Sequence, residues 1–233
     1  MVMGIIKTKD AYSKIANKYD EIYQNYKCKL EDDFIIDIIK KNKIHKGNIL
    51  DLGCGTGKFL DWFPDTRYFY TGVDISPKMI DVARHKYPEA KFTVSDMSKK
   101  NIYESNLDSI VSLFSLSYCL KPEVVLKNCY NSLRDNGNIF IVAYTPKWAY
   151  CQSNVTISNG VVVNKMLYTK KFMQLILKDF KIQSIVEFPF LLDLISKKNF
   201  NNKFICKSLY MTDKLLSKFV SNLGAYIIIH AKK

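Results

Sequence analysis

The chain has little of what would place it outside the ordinary globular classes. Among its 233 residues are only 9 glycines and 6 prolines, with no low-complexity tract or internal repeat, which excludes collagen-like and linker-like architectures. No run approaches the roughly 18 consecutive apolar residues of a membrane span. The apolar stretch within Met1–Lys9 is also too short for a secretory signal. The six cysteines (Cys28, Cys54, Cys119, Cys129, Cys151, Cys206) form no C-x-x-C pair, so they read as reduced thiols of a cytoplasmic protein. Histidine is scarce too: His45, His85 and His230 are the full set, and no metal-ligand pattern includes them.

Acidic residues are outnumbered, 22 against 35 Lys and Arg, for a formal net charge of +13. Such a balance suits nucleic acid, an anionic membrane or an anionic substrate. The lysines, however, are spread from Lys7 to Lys233 among many Asn and Ile, as a general bias toward a lysine-rich solvent face would give. What the chain does have is apolar content, 48%, enough for a substantial core in one domain.

From residue 48 onward, β-rich runs alternate with helical patterns, which predicts a parallel α/β sheet. Strands are expected at Asn48–Leu52, Tyr68–Val73, Lys91–Val94, Asp108–Leu113, Gly137–Tyr144, Lys181–Phe188 and Ala225–Ala231. Pro77 opens a helix capped by Ser76, with Met79, Ile80 and Ala83 on its apolar face. A second follows Pro122 with Val125, Leu126, Cys129 and Leu133, and Asn136-Gly137 stops it. Two more helices are expected in Asp10–Lys43. Leu191–Asn222, where aromatic and aliphatic residues interleave with Lys197, Lys198, Lys203 and Lys207, is expected to form a helical lid.

The segment Asn48–Phe59, NILDLGCGTGKF, runs from a strand through Gly53, Gly55 and Gly57 into a helix, with Asp51 two residues before the first glycine. Glycines at alternate positions let the backbone turn sharply and a ligand approach closely, facing the N–H groups of a helix start. The spacing is G-x-G-x-G. A dinucleotide loop needs its third glycine where Lys58 stands, and a P-loop needs G-K-[ST], which is absent. Asp74 ends the next strand, where a doubly wound fold puts the acidic partner of a ribose. Ile75 follows it, ready to cover an adenine face.

With these companions the segment resembles motif I of the class I S-adenosylmethionine-dependent methyltransferases, and the resemblance covers most of residues 12 to 144 in the family's order. It implies a Rossmann-like, seven-stranded, mostly parallel sheet with the last strand antiparallel and helices on both faces. The implied organisation is one domain: a helical cover (1–46), a cofactor-binding core (47–190), a lid (191–222) and a last strand (223–233). The implied cofactor is S-adenosylmethionine, leaving as S-adenosylhomocysteine. Asp51, Gly53, Cys54, Gly55, Gly57, Asp74 and Ile75 would hold it, with Asp96 accepting from the adenine amine and Met97 against the ring. Ser112, Leu113 and Phe114 would line its methionine arm. Residues 11–26, AYSKIANKYDEIYQNY, resemble the N-terminal helix of small-molecule members, whose tyrosines close over cofactor and acceptor. Tyr12, Tyr19 and Tyr23 are the candidates, Tyr19 foremost for both cofactor contact and catalysis.

Many small-molecule relatives carry a histidine just after the fourth strand; here Ser117-Tyr118 stands there, making Tyr118 the second catalytic candidate. Tyr144 and Tyr168 could also orient an acceptor. The expected partner is a small-molecule methyl acceptor. An RNA or tRNA acceptor on the basic surface and a non-catalytic cofactor-binding protein are the alternatives. Base-methylating signatures are missing, since Ser112–Ser115 replaces N/D-P-P-Y and Cys119 follows Tyr118 rather than Pro.

Overall fold

The computed structural model describes residues 7–147, 154–156, 162–164, 166–195, 197–219 and 223–233. Cys151, the first six residues of the expected cover and the last three of the expected lid lie outside that set. Nine strands are described: β1 (Ile49–Leu52), β2 (Tyr70–Asp74), β3 (Lys91–Val94), β4 (Leu107–Leu113), β5 (Leu133–Tyr144), β6 (Asn154–Thr156), β7 (Val162–Asn164), β8 (Lys181–Phe188) and β9 (Tyr226–Lys232). The helices are α1 (Thr8–Ile15), α2 (Tyr19–Ile22), α3 (Tyr26–Lys41), α4 (Lys58–Trp62), α5 (Pro77–Lys86), α6 (Pro122–Ser132), α7 (Lys170–Ile176) and α8 (Lys203–Leu216).

Seven strands form one sheet in the order β3-β2-β1-β4-β5-β9-β8. Pairs β1–β2, β2–β3, β1–β4 and β4–β5 are parallel, and β9 lies antiparallel between β5 and β8. Strand order reverses between β1 and β4, so a crevice opens beyond their carboxyl ends, where doubly wound sheets hold ligands. The sheet is the one expected from the sequence, with boundaries moved by a few residues. β5 starts earlier, at Leu133, with Asn136 in the left-handed region at φ 60. The hairpin of β6 and β7 lies outside the expected alternation, and β7 approaches α1.

Apolar side chains alternate along the central strands and feed two cores. Ile49, Val111, Phe140 and Val142 face α3, α4, α5 and α8, whereas Leu50, Leu52, Ile110, Ile139 and Ile141 face α6 and α7. Ser76 caps α5 as the sequence indicates, its Oγ accepting from the Met79 N–H at 3.3 Å. The segment expected as a lid folds as α8 against α3, its inner side burying Cys206, Tyr210 and Asp213. Asp213 fixes that packing, because its two carboxylate oxygens accept from the N–H groups of Leu191 and Leu192, each at 2.8 Å.

Removing that buried acceptor leaves two donors unsatisfied, at a cost on the order of 1–3 kcal/mol each. Asp213→Ala should therefore lower unfolding free energy by about 3 kcal/mol in urea denaturation. A loss below about 0.5 kcal/mol would mean that water reaches both N–H groups.

Candidate cofactor and acceptor site

Three loops meet at the crevice. In the first, Gly53, Gly55 and Gly57 all take positive φ (75, 55 and 94), a conformation that side chains other than glycine's resist. Gly53 is doubly constrained, since an added Cβ would lie 2.2 Å from the Ser115 Cβ. Above Gly55, by contrast, a Cβ would meet nothing within 4 Å, so the loop faces open space there. The Cys54 thiol does not. It is buried, points toward Gly72 and donates to the Gly55 carbonyl at 3.8 Å, which limits Cys54 to a backbone role at the site.

Asp74, at the end of β2, ties the second loop to the first. Its Oδ2 accepts from the Gly55 N–H at 3.0 Å and its Oδ1 from the Ser76 N–H at 2.8 Å. Each oxygen keeps a second lone pair for a further donor. Burial raises the Asp74 pKa, opposed by the backbone N–H groups of Ser76, Gly55 and Ile75. Ile75 is exposed beside it. In the third loop, Asp96 Oδ1 accepts from the backbone N–H and hydroxyl of Ser98, both at 2.8 Å, while Tyr103 donates to the Met97 carbonyl at 2.7 Å. The Met97 methyl lies 3.5 Å from the position of a Gly53 Cβ, so the first and third loops touch.

Below the glycine loop, Asp51 is buried. Its Oδ2 accepts from the Tyr70 hydroxyl at 2.8 Å, and its Oδ1 is an orphan without a partner. Burial pushes its pKa up to about 7. Ser112 is also buried, its Oγ 2.8 Å from the Ser115 Oγ and accepting from the Leu116 N–H at 3.2 Å. Leu113 and Phe114 follow, Phe114 at φ 62, a strained turn that points the chain into the crevice.

The N-terminal helices close over this assembly through polar ties that the sequence does not announce. Ser13 Oγ lies 2.8 Å from Ser76 Oγ, and the Thr56 hydroxyl donates to Asp20 at 2.6 Å. Lys86 bridges Asp20 (2.9 Å) and Asp61 (3.0 Å). The cover brings a cluster of tyrosines to the crevice. Ring centroids of Tyr12 and Tyr118 are 5.6 Å apart, Tyr12 and Tyr19 5.9 Å, and Tyr19 and Tyr23 5.1 Å. Phe114 extends the wall to Tyr144 (5.1 Å) and Tyr226 (4.8 Å), and the Tyr226 hydroxyl donates to buried Glu31 at 3.3 Å. An open recess of about 370 Å³ lies beside Tyr23, between the start of α3 and Asn201. Tyr168 is absent from this cluster; it is buried in the opposite core, its hydroxyl donating to the Leu116 carbonyl at 3.0 Å.

No imidazole reaches the cluster among the described residues. His85 is exposed on α5, His45 stacks on Phe63, and His230 is bonded to Asn138 at 2.9 Å with its pKa lowered by burial to about 4. Among the described residues, no group of His, Cys, Asp and Glu could hold a metal ion.

A model of the methyltransferase domain matches residues 50–141, the stretch that carries all three loops. Over that stretch the chain is similar to the class I S-adenosylmethionine-dependent methyltransferases. An uncharacterised protein of Methanocaldococcus jannaschii is 28% identical, over 99% of this chain and 91% of that one. The malonyl-[acyl-carrier protein] O-methyltransferase of Serratia marcescens is 26% identical over 55% of this chain and 49% of its own length. A demethylmenaquinone methyltransferase of Thermotoga maritima is 24% identical over 58% of this chain and 60% of its own. The chain thus spans about half the length of these curated methyltransferases. Among solved structures, a methyltransferase of Clostridium acetobutylicum superposes with a TM-score of 0.63 at 17% identity, covering 95% of this chain and 98% of that one.

The residues present fit the cofactor of the methyltransferases that the chain resembles. S-adenosylmethionine is cationic at sulfur and nitrogen, and the site offers carboxylates at Asp51, Asp74 and Asp96 with open space over Gly55. The orphan Asp51 oxygen suits a donor arriving with the ligand.

Asp74→Ala should weaken S-adenosylhomocysteine binding at least about tenfold by calorimetry, since a charged hydrogen bond is worth about 1.5–3 kcal/mol. With the 2′-deoxyribose analogue the loss should shrink; an equal loss would restrict Asp74 to anchoring the glycine loop. For Asp51, a native pKa above the ordinary carboxylate value means that the folded state holds the proton longer. The ligand-free protein should then lose stability as pH rises from about 4 to about 7 and level off beyond. Asp51→Asn should remove that slope, and an unchanged slope in urea midpoints would show that Asp51 ionises freely.

Proposed function

We propose that the chain methylates a small-molecule acceptor bound against the tyrosine wall formed by Tyr12, Tyr19, Tyr23, Tyr118 and Tyr144, and that catalysis rests on positioning. The cofactor supplies an electrophilic methyl on a sulfonium leaving group. The observation that carries the reading is the ring of phenols at the carboxyl edge of β4 and β5, closed by the N-terminal cover. Burial raises the pKa of each of these hydroxyls, so they remain neutral at physiological pH. Neutral phenols donate and accept hydrogen bonds and present apolar faces. They are not proton sinks at that pH. The acceptor must therefore arrive with an available lone pair, deprotonated before it enters where its chemistry requires that, while the wall aligns it and excludes water.

Tyr19 is assigned the central position. It touches both Tyr12 and Tyr23 and lies close enough to Asp74 for that carboxylate to raise its pKa further, after burial. It thus bridges the cofactor loops and the acceptor wall. Tyr118, hydrogen-bonded to Tyr12, is assigned to the opposite side. The acceptors named for the acyl-carrier-protein and menaquinone relatives support a metabolic acceptor class. A reducing, cytoplasmic setting accords with the free thiols of Cys28, Cys54, Cys119, Cys129 and Cys206.

The test is an acceptor screen with labelled S-adenosylmethionine, followed by Tyr19→Phe on the best acceptor. Turnover should fall about 10- to 100-fold, the range for one positioning hydrogen bond, with S-adenosylhomocysteine affinity kept within about twofold. Unchanged turnover would return Tyr19 to a packing role. Transfer to tRNA but to none of the small molecules would overturn the acceptor class.

A further inference from the structure

Helix α8 turns Cys206, Tyr210 and Asp213 inward, and its other side carries a second apolar surface that nothing among the described residues covers. Phe204 is 84% exposed, Met211 58% and Leu215 59%. At 100° per residue, positions 204, 208, 211 and 215 fall within an arc of roughly 60°, so the three apolar residues and Ser208 make one stripe. Phe219, 80% exposed in the turn after the helix, continues it. Lys203, Lys207 and Lys214 project from one flank of the stripe, roughly 60–100° round the helix. Exposed Lys218 follows the helix end. The sole acid of α8 is the buried Asp213, and Lys214 reaches Asp37 of α3 at 3.2 Å.

We infer that this face of α8 docks on an anionic lipid bilayer, lying in the plane of the interface with the Phe204–Met211–Leu215 stripe among the acyl chains and the lysines at the headgroups. Charge decides between the occupants an apolar stripe could take. A second copy related by a two-fold axis would set the lysine rims of two chains of net charge +13 against each other, with Lys214 paired to Asp37 but no acid on the outward side of α8 itself to neutralise Lys203 and Lys207. An anionic bilayer satisfies both halves of the surface at once, since lipid headgroups attract the lysines and the hydrocarbon accepts Phe, Met and Leu. A nucleic acid would leave Met211 and Leu215 in water. With 14 residues, α8 lies on a membrane and does not cross it. The stripe's Phe204 end also adjoins the acceptor side of the molecule: the Phe200 carbonyl accepts from the Lys27 N–H at 2.9 Å and Asn201 Oδ1 from the Tyr26 N–H at 3.0 Å, just beyond Tyr23. Docking would hold that end of the protein at the bilayer.

The experiment is flotation of the full chain with vesicles of phosphatidylcholine alone and of phosphatidylcholine with about 30% phosphatidylglycerol. Binding to the anionic vesicles should be at least about tenfold stronger and should weaken as salt is raised. Phe204→Ser with Leu215→Ser should cut it at least about fivefold, and Lys203→Gln with Lys207→Gln should remove most of the preference for anionic lipid. All these residues are exposed, and unchanged S-adenosylhomocysteine affinity in each variant certifies the fold. Three results would overturn the inference: no association with either vesicle, flotation indifferent to the serine pair, or a dimer in sedimentation equilibrium that the serine pair dissolves. Docking is independent of methyl transfer, so either result leaves the acceptor screen to be judged separately.

Discussion

The carboxylate of Asp74 sits between the end of β2 and the glycine loop, one oxygen on the Gly55 N–H and the other on the Ser76 N–H. That pair of hydrogen bonds holds a backbone which, at three alternate positions, takes φ values costly to any residue with a side chain. Without an acceptor at Asp74, the Gly55 N–H would point into an open crevice and the loop would have fewer reasons to stay turned. Ser115 closes the other side by occupying the space a Gly53 side chain would need. The loop's shape is therefore set by what its neighbours exclude, and the ligand-facing side is left empty above Gly55.

The N-terminal cover depends on the same loops. Its ties run to Ser76, which follows Asp74, to Thr56 inside the glycine loop, and through Lys86 to Asp61 on α4. The ties to Ser76 and Thr56 end on fully buried hydroxyls, whereas the Lys86 bridge is partly exposed and of a kind worth little singly. The apolar part of the contact is small as well, chiefly Ile15 and Ala16 on Met79. The cores on both faces of the sheet are far larger than this contact. Thr56 and Ser76 join the cofactor-side loops to the helices that carry Tyr12 and Tyr19.

Much of this was legible in the sequence because period and local chemistry spoke together. The strands β3 and β8 fall where alternation and β-branching put them, and the Ser76-Pro77 start of α5 follows from capping rules alone. That Asp74 ends one strand and Asp96 follows the next was legible as a position, because a parallel sheet fixes where strand ends lie. What escaped were relations between distant segments. Nothing local distinguishes Tyr226 from any aromatic at a strand start, yet pairing of β9 beside β5 brings it against Phe114 and Tyr144. Nothing local joins Asp20 to Lys86 or Thr56. The segment before β9 carries an apolar, lysine-rich pattern that predicts a helical lid. Its helical periodicity was correct, but which face turned inward was decided by Asp213, whose pairing with the Leu191 and Leu192 N–H groups is invisible without the fold.

The electrostatics divide along the same line. A chain of net charge +13 would be expected to show a basic active site if the charge served its chemistry. The crevice instead gathers Asp51, Asp74 and Asp96, with Asp20 and Asp61 at its rim and Lys86 taken up between those two. Glu31 and Asp193 lie buried behind Tyr226, sharing the single ammonium of Lys27. The site is acidic on a basic protein. A cationic ligand such as a sulfonium nucleoside gains from that inversion, because desolvated carboxylates interact with it far more strongly than surface lysines repel it through water. The excess positive charge belongs to the outer faces, where the outward side of α8 presents lysines and no acid. Composition alone merges these two populations into one number. Burial separates them: Asp51 is buried and Asp74 and Asp96 are partly so, while the lysines of α8 stay in solvent.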